Sequence, residues 1–361
     1  MQLSVLTETA PREKRVAIAP DSIGRLKKLG IDIVVQQGAG LSAGFRDDAF
    51  VAAGARIASD LATTLAGATL IAKVQPPTES EIALIPMGAT VISLMHPGHS
   101  DGLAARLATR RATGLALELV PRITRAQSMD VLSSQATVAG YKAVLLGAEL
   151  LPRFLPMLTT AAGNIMPAKA FVIGAGVAGL QAIATCKRLG AVVSAFDVRP
   201  AVREQVQSLG AKFVASELAA TGSETTGGYA REQNSDEQAR TLAAIGGHIK
   251  DVDLVITTAQ IPGKPAPRLI TADMVRGMKA GSVIVDIAAE TGGNCELSKP
   301  GETIVAHDVT IVAPLNLPST VPFNASQMFG RNIYELLKPH IKEGKFVLNP
   351  NDEILGKMIL K

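Results

Sequence analysis

The chain has 361 residues, which is long enough for two domains and excludes a small peptide module or a disulfide-stabilised mini-protein. Hydrophobic residues make up 47% and charged residues 19% of it, with no Trp and only 9 Phe and 3 Tyr, so we expect a globular protein with an aliphatic core. The net charge of +4 is small and the basic residues are scattered, which disfavours a nucleic-acid-binding surface.

The two cysteines and the first residues of the chain indicate the cellular compartment of the protein and whether its thiols are reduced. Cys186 and Cys295 are far apart and stand outside any metal-ligand motif, so the sequence predicts neither a metal site nor a disulfide framework. The first residues lack the apolar segment of a signal peptide, and no uncharged apolar run reaches ~18 residues. These features favour a cytoplasmic chain without a spanning segment of its own.

The first third of the chain alternates strand-like and helical patterns, which is typical of a parallel α/β sheet. The helical patterns begin near Asp21 and Asp48, both suited to N-capping, and the second runs from 48 to 67. The candidate strands are Ile31–Gln36, Ala68–Val74, Ala89–Met95 and Gly114–Val120.

A long helical pattern from 133 to 163 predicts a helix that connects two domains. A second series of candidate strands follows, and a polar, Gly-rich segment inside it, 220–236, predicts a mobile loop. An amphipathic helix over Ser326–Gly344 is then expected to return to the first domain. The strands of this second series are Lys169–Gly174, Ala191–Asp197, Asp253–Ala259, Ser282–Ala288 and Thr303–Ala313.

The most specific motif in the sequence is a G-x-G-x-x-G at Gly174, Gly176 and Gly179. A strand pattern precedes it, a helical pattern follows, and Asp197 ends the next candidate strand 18 residues after Gly179. All the parts of a dinucleotide-binding fingerprint are therefore present, which disfavours the alternative of a glycine-rich turn that binds nothing. The glycines permit a tight turn, close approach of the backbone to a pyrophosphate, and close packing of helix on strand.

The residues that follow the glycines predict the rest of the nucleotide site. Val177 and Ala178 open the helix, whose N–H groups and partial positive charge favour phosphate. Asp197, with Val198 beside it, is expected to bind the ribose hydroxyls of the adenosine and to repel a 2′-phosphate. NAD(H) is therefore favoured over NADP(H), although Arg199 could accept a 2′-phosphate.

The loop after a later strand adds Thr258 and Ala259 to the predicted site, because ligands lie outside the carboxyl ends of parallel strands. By the same reasoning Glu290 and Asn294 either line the site or cap a turn.

A dense polar cluster lies at the predicted domain junction and contains Arg122, Gln127, Asp130 and Ser133. Such clusters occur where α/β proteins form a ligand crevice. From the spacing alone, a solvated linker with helix caps explains them equally well.

These motifs together resemble those of one known family. RxxRAQSMDxLSSQ, GxGVAGLQAIATxKRLGAxV, GGYA, TTAxIPGKPAP and VDxAxExGGN are similar to the NAD(H)-binding subunit, domain I, of proton-translocating NAD(P) transhydrogenase. The likeness extends from VLTETAPREKRVAIAP at the start to Asn316–Ser319 and so covers nearly all of the chain.

The resemblance implies a fold with two Rossmann-like, doubly wound parallel-sheet domains joined by long helices, with NAD(H) in the cleft between them. We place the boundaries at 1–132 with 314–361 for the first domain and at 133–313 for the second. In such a subunit the polar cluster Arg122, Gln127, Asp130 and Ser133 would hold the nicotinamide end, and Tyr229 in the mobile loop would close over the nucleotide.

The implied activity is direct, Re/Si-specific hydride transfer from NADH to NADP⁺, with no metal and no general base in this chain. NADP(H) would be bound by a partner, the beta subunit or domain III, and separate membrane-spanning subunits would couple the transfer to proton translocation. The resemblance further implies a homodimer that lies in the cytoplasm at the inner (plasma) membrane through these partners.

A related family, alanine dehydrogenase, supplies a second hypothesis. Its substrate-binding basic residue, its histidine and its arginine resemble Lys73, His96 and Arg15. Glu290, however, stands where that family has an aspartate, and one additional methylene would displace a carboxylate enough to disturb acid–base geometry. A third hypothesis is a non-catalytic NAD(H)-binding protein.

Overall fold

The computed structural model describes residues 1–98, 102–214, 234–261 and 263–361. The chain divides into two compact units. Unit 1 comprises Met1–Gln135 and Pro318–Lys361, and unit 2 comprises Ala136–Leu317.

Unit 1 is built on a parallel sheet whose six strands, counted over the described residues, have the order β3-β2-β1-β4-β5-β6. The order reverses between β1 and β4, as in other doubly wound sheets. The strands are β1 (Gln2–Val5), β2 (Asp32–Gln36), β3 (Arg56–Ala58), β4 (Leu70–Ala72), β5 (Thr90–Ser93) and β6 (Thr113–Ala116).

Helices connect successive strands of this sheet, and their first turns differ from the prediction. Asp21 and Asp48 lie inside the first turns, where they complement the helix dipole, while Ala19 and Arg46 are the N-cap residues. Asp60 and Thr78 cap the third and fourth helices, each in a capping box. The helices are α1 (Pro20–Lys27), α2 (Asp47–Ala52), α3 (Leu61–Leu65), α4 (Glu79–Leu84) and α5 (Leu103–Thr109).

The prediction of one helix over 48–67 was wrong, and β1 and β3 were missed. Helix α2 ends where Gly54 adopts a φ of 100°, and the Asp60 cap starts α3, which leaves a short strand between them. Leu3 and Val5 of β1 are fully buried at the centre of the sheet.

Helix α6 (Val131–Leu150) carries the chain from unit 1 into unit 2. It ends well before 163, because Pro152 and Pro156 cannot continue a helix. An antiparallel hairpin, β7 (Leu158–Thr160) and β8 (Gly163–Ile165), follows in place of the predicted last turns.

Unit 2 contains a second mostly parallel sheet of seven described strands in the order β11-β10-β9-β12-β13-β15-β14. The predicted strand Thr303–Ala313 is a hairpin whose first strand is antiparallel to its neighbour. The His307–Asp308 turn between them has positive φ angles of 53° and 61°. The strands are β9 (Lys169–Ile173), β10 (Val192–Phe196), β11 (Lys212–Phe213), β12 (Leu254–Thr257), β13 (Val283–Asp286), β14 (Thr303–Ala306) and β15 (Val309–Val312).

The helices of unit 2 pack on both faces of its sheet and bury aliphatic side chains in two clusters, as the composition predicts. Besides α6, the described helices of this unit are α7 (Val177–Arg188), α8 (Arg203–Ser208), α9 (Ser235–Ile249) and α10 (Ala272–Arg276).

The chain returns to unit 1 with α11 (Pro322–Leu337), whose residues Phe329, Ile333 and Leu336 are fully buried. The predicted helix to Gly344 is too long, since Pro339 interrupts it. A short hairpin, β16 (Ile341–Lys342) and β17 (Lys345–Phe346), and helix α12 (Leu355–Met358) follow. None of the described helices has both the length and the hydropathy needed to cross a membrane.

Candidate nucleotide-binding site

The loop between β9 and α7 is shaped by its three glycines. Gly174 has a φ of 95°, and a Cβ atom there would lie 2.6 Å from Thr258 Oγ1. A Cβ atom at Gly179 would lie 1.8 Å from the carbonyl oxygen of Gly174. At Gly176 the nearest atom to such a Cβ would be 3.9 Å away, on the Arg199 guanidinium, so this glycine leaves open space beside the backbone.

Helix α7 starts directly from this space. Gly176 is its N-cap residue and has no side chain to cap it, so the first-turn N–H groups near Val177 and Ala178 are oriented as in anion sites. Val177 is partly exposed. The loop that carries Gly174, Gly176 and Gly179 is called the cradle below. The cradle and the N-terminus of α7 fit the pyrophosphate of a dinucleotide.

Asp197 follows β10 and braces the same loop. Its Oδ2 accepts a hydrogen bond from the Ala175 N–H at 2.7 Å. Arg199 pairs with both carboxylate oxygens, through Nε at 2.9 Å and Nη2 at 2.8 Å. The carboxylate that the sequence assigns to ribose is therefore already paired with Arg199, while neighbouring Val198 packs on the core of unit 2.

The end of β12 lies against Gly174. Thr258 Oγ1 donates to the Gly174 carbonyl at 2.9 Å, which fixes the loop after β9. The buried amide of Asn294 clamps Ala259 by accepting from its N–H at 3.0 Å and donating to its carbonyl at 2.9 Å. Asn294 is thus a positioning residue for the strand end rather than an exposed lining residue.

Asp286 is a buried residue that holds neighbouring loops in place, and the sequence did not predict this role. Its carboxylate accepts hydrogen bonds from Thr257, Ala288, Cys295 and Ser298. An acidic residue at the end of the apolar strand β13 is the signal that could have identified it. Glu290 instead accepts a bond from the Asn316 N–H at 2.6 Å, which is a turn-capping role.

Gly140 on α6 packs against the first turn of α7 with no room for a side chain. A Cβ atom there would lie 2.1 Å from the carbonyl oxygen of Ala178, in the first turn of α7. The sequence pattern indicates only a break in the helical periodicity at this glycine, whereas the structure shows that close packing requires it.

We expect Gly140→Ala to destabilise the protein by about 1–3 kcal/mol and to weaken NADH binding, because the added methyl must displace the first turn of α7. Thermal unfolding with and without NADH measures both effects. Gly24→Ala is the control, since its Cβ would meet nothing within 4 Å. Unchanged stability and affinity for Gly140→Ala would contradict the packing argument.

The polar cluster of unit 1 is divided between capping and exposed positions. Asp130 caps α6 by accepting from Ser133 N at 2.9 Å and from Ser133 Oγ at 2.6 Å. Arg122 and Gln127 are exposed on the adjoining 3₁₀ turn, Thr124–Met129, and its flank. The structure therefore brings Asp130 and Ser133 together and shows that the helix-cap explanation holds for this pair.

The three residues that resemble those of alanine dehydrogenase also lie in unit 1. The Lys73 ammonium is 1% exposed and contacts Glu81 at 2.6 Å and Glu8 at 3.8 Å. The exposed His96 ring lies 3.0 Å from the side-chain oxygen of Gln75. The chain's own carboxylates thus balance the lysine charge.

Arg15 is paired in the same way. Its guanidinium donates to both oxygens of Glu13, at 2.8 and 2.7 Å, and to Gln135. Burial would raise the pKa of Glu13, but the hydrogen bonds and charge of Arg15 and a bond from Gln75 lower it to about 2. Burial raises the pKa of Glu8 to about 7 against the opposing charge of Lys73.

Tyr229 lies outside the described residues. So does most of the predicted loop 220–236, of which Asn234 caps α9 and Ser235 and Asp236 form its first turn.

The family models for the two halves of the chain are described as alanine dehydrogenase/PNT, N-terminal domain, matching residues 4–139, and C-terminal domain, matching residues 143–361. The chain belongs to the alanine dehydrogenase/PNT family. Within this family it is 48% identical to the first part of the NAD(P) transhydrogenase alpha subunit of Rhodospirillum rubrum, over 99% of this chain and 95% of that protein.

Members of both branches of the alanine dehydrogenase/PNT family resemble the chain, to different degrees. The crystal structure of transhydrogenase from Sinorhizobium meliloti has a TM-score of 0.91 and 44% identity, covering 100% of this chain and 98% of that one. Alanine dehydrogenase of Halomonas elongata is 31% identical over 91% of this chain and 84% of that protein. The predicted family and the two Rossmann-like sheets are confirmed.

Proposed function

We propose that this chain is the NAD(H)-binding subunit of a proton-translocating NAD(P) transhydrogenase. The observation that carries the proposal is the complete cradle at Gly174, Gly176 and Gly179 in a chain with 48% identity, over nearly its full length, to a transhydrogenase alpha subunit. An alanine dehydrogenase at 31% identity is less similar.

The bound nucleotides supply the chemistry, which is the transfer of a hydride from C4 of NADH to C4 of NADP⁺ to give NAD⁺ and NADPH. The α7 N-terminus binds the pyrophosphate, and Asp197 binds the adenosine ribose. Arg122, Gln127, Asp130 and Ser133 hold the nicotinamide end, so that catalysis depends on proximity and orientation at ~3–3.5 Å between the reacting atoms.

The proposed partners are an NADP(H)-binding beta subunit, or domain III, and membrane-spanning subunits that couple the reaction to proton movement. The chain would then work in the cytoplasm at the inner (plasma) membrane. We also infer that it forms a homodimer. Exposed apolar side chains next to the β7–β8 hairpin, Phe154, Met157 and Met166, favour such an association, and analytical ultracentrifugation tests it.

A reconstitution assay tests the proposed function. The purified chain with NADH is mixed in a stopped-flow instrument with a transhydrogenase NADP(H)-binding subunit loaded with NADP⁺. We expect rapid NADPH formation only when both proteins are present. NADH oxidation by this chain alone with pyruvate and ammonia would instead support an alanine dehydrogenase, and NADH binding without turnover in either assay would support a non-catalytic binding protein.

We expect Asp197→Ala to weaken NADH binding about 10- to 100-fold, which corresponds to the loss of ~1.5–3 kcal/mol of hydrogen bonding to a charged group. Selectivity against NADPH should fall at the same time, because the variant removes the Asp197 carboxylate and leaves the positive charge of Arg199 without it beside the 2′-phosphate position. Fluorescence titrations with both nucleotides measure the ratio of the two Kd values. If that ratio is unchanged, Asp197 does not contact the ribose.

A further inference from the structure

The segment from 349 to 360 is fastened to the RAQSMD turn, Arg125–Asp130, by an ion-pair cluster. Arg125 Nη2 lies 3.0 Å from Asp352 Oδ2, and Arg125 Nε lies 2.8 Å from Glu353 Oε1. Arg125 and Asp352 are 227 residues apart in the sequence, so this contact exists only in the folded unit 1.

Asp352 also organises its own segment. Its Oδ1 accepts from the N–H groups of Ile354 at 2.8 Å and Leu355 at 3.0 Å, where α12 begins. His340 Nε2 lies 3.4 Å from the same oxygen. Burial would raise the pKa of Asp352, but the two backbone hydrogen bonds, Arg125 and His340 lower it to about 2, so the carboxylate is charged at neutral pH.

Apolar packing supports the same contact beneath the charges. Ile354, Leu355 and Met358 are fully buried in the core cluster that contains Ala126 and Met129 of the RAQSMD turn. The Leu360 N–H donates a hydrogen bond of 2.9 Å to the carbonyl of Gly114 in the edge strand β6, which attaches the segment to the sheet. The buried residues of the turn, Ala126 and Met129, are thus fixed by the core, and its exposed residue Arg125 is fixed by the ion pairs.

The other side of the turn has one additional anchor on α11. The Asn332 side-chain amide donates to the carbonyl of Ser128 at 2.8 Å. Arg125 is 53% exposed while the Asp352 side chain is 19% exposed, so the ion pair stands at the boundary of the core. An exposed pair contributes little to global stability, so its removal should leave the protein folded.

We propose that Asp352 is a positioning residue that acts through Arg125 to hold the Arg122–Ser133 segment in the conformation needed for hydride transfer. The inference rests on the proposed function, in which Arg122 and Gln127 of this segment hold the nicotinamide end. Asp352 is not among the residues proposed to hold the nucleotide.

The test uses the full chain with Asp352→Asn, Arg125→Gln and the double variant. Asparagine keeps a side-chain oxygen that can accept the Ile354 and Leu355 N–H bonds, so Asp352→Asn removes the charge and keeps the start of α12. We expect the single-turnover rate with the NADP⁺-loaded partner subunit to fall about tenfold in each single variant, through misplacement of the segment, while the Kd for NADH changes less than about twofold. The double variant should be no slower than the slower single variant.

Hydrogen exchange gives a second measurement that does not depend on activity. Amides of 122–133 should exchange faster in Asp352→Asn, while those of 354–358 keep their protection. Asp273→Asn, which removes an exposed ion pair with Arg276 in unit 2, is the matched control and should change neither rate nor exchange.

The outcomes separate this inference from the proposed function. Wild-type protein that transfers no hydride would refute the proposed function, and the exchange experiment would still decide whether Asp352 fixes the segment. Three results would each overturn the positioning role of Asp352. They are additive rate losses in the double variant, an unchanged rate in Arg125→Gln, and unchanged hydrogen exchange of the amides of 122–133.

Discussion

Replacing Gly179 with alanine is expected to weaken NADH binding by about 10- to 100-fold, because the loop that faces the nucleotide must move to accept the methyl group. Overpacking should also lower the stability of the fold by ~1–3 kcal/mol. The added Cβ would lie 1.8 Å from the carbonyl oxygen of Gly174 and 3.2 Å from Thr258 Oγ1. The loop after β9 and the first turn of α7 cannot both stay in place. The cradle for the pyrophosphate then opens, and the Thr258–Gly174 hydrogen bond is strained with it.

Calorimetric titration with NADH measures this loss, and circular dichroism confirms that the variant is folded. Gly247→Ala is the matched control in the same unit, since Gly247 lies in helix α9 and its Cβ would meet nothing within 4 Å. That control should bind NADH normally and gain up to about 1 kcal/mol of stability from the better helix propensity of alanine. Normal affinity in a folded Gly179→Ala variant would exclude the loop from nucleotide binding.

Replacing Arg122 with alanine is expected to slow reconstituted hydride transfer about 100-fold while the Kd for NADH changes much less, since small errors of orientation reduce rate more than binding. Arg122 is exposed and lies just before the 3₁₀ turn that carries Gln127. Truncating it therefore removes a functional contact without opening a cavity in the core.

Stopped-flow transfer rates and equilibrium NADH titrations are compared for the Arg122 variant and for Arg46→Ala. Arg46 is also an exposed arginine of unit 1, paired only loosely with Asp48 at 3.7 Å, and its removal should leave both quantities unchanged. Equal losses of rate and affinity in Arg122→Ala would make Arg122 a simple binding residue.

The nucleotide loop could be predicted from the sequence because its physical requirements are local. Three glycines with fixed spacing, a strand before them and an acidic residue after the next strand all lie within about thirty consecutive residues. The structure adds two contacts that the spacing of the motif does not reveal. Arg199 pairs with Asp197, and Gly140 on helix α6 contacts Ala178. The Arg199–Asp197 pair is local but depends on the turn that follows β10, and the Gly140–Ala178 contact forms only when α6 packs on α7.

The strands that could not be predicted are short or lack a periodic signal. β3 has three residues between two helices, and the apolar pattern around it continues that of the helices. The β14–β15 hairpin follows from positive φ angles at His307 and Asp308. Aspartate favours turns and tolerates this conformation, but the turn has no glycine and apolar residues flank it on both sides, so its signal is weaker than that of a glycine turn. The contacts of Asn294 and Asp352 likewise join residues far apart in the chain.

Direct passage of the hydride from NADH on this chain to NADP⁺ on a partner subunit is the defining step of the proposed function. NADH carrying deuterium at both C4 positions is bound to the purified chain and mixed with the NADP⁺-loaded partner in ordinary water, and the NADPH formed is analysed by mass spectrometry. We expect one deuterium per NADPH. Unlabelled NADPH, or no NADPH from a chain that binds NADH normally, would refute direct transfer.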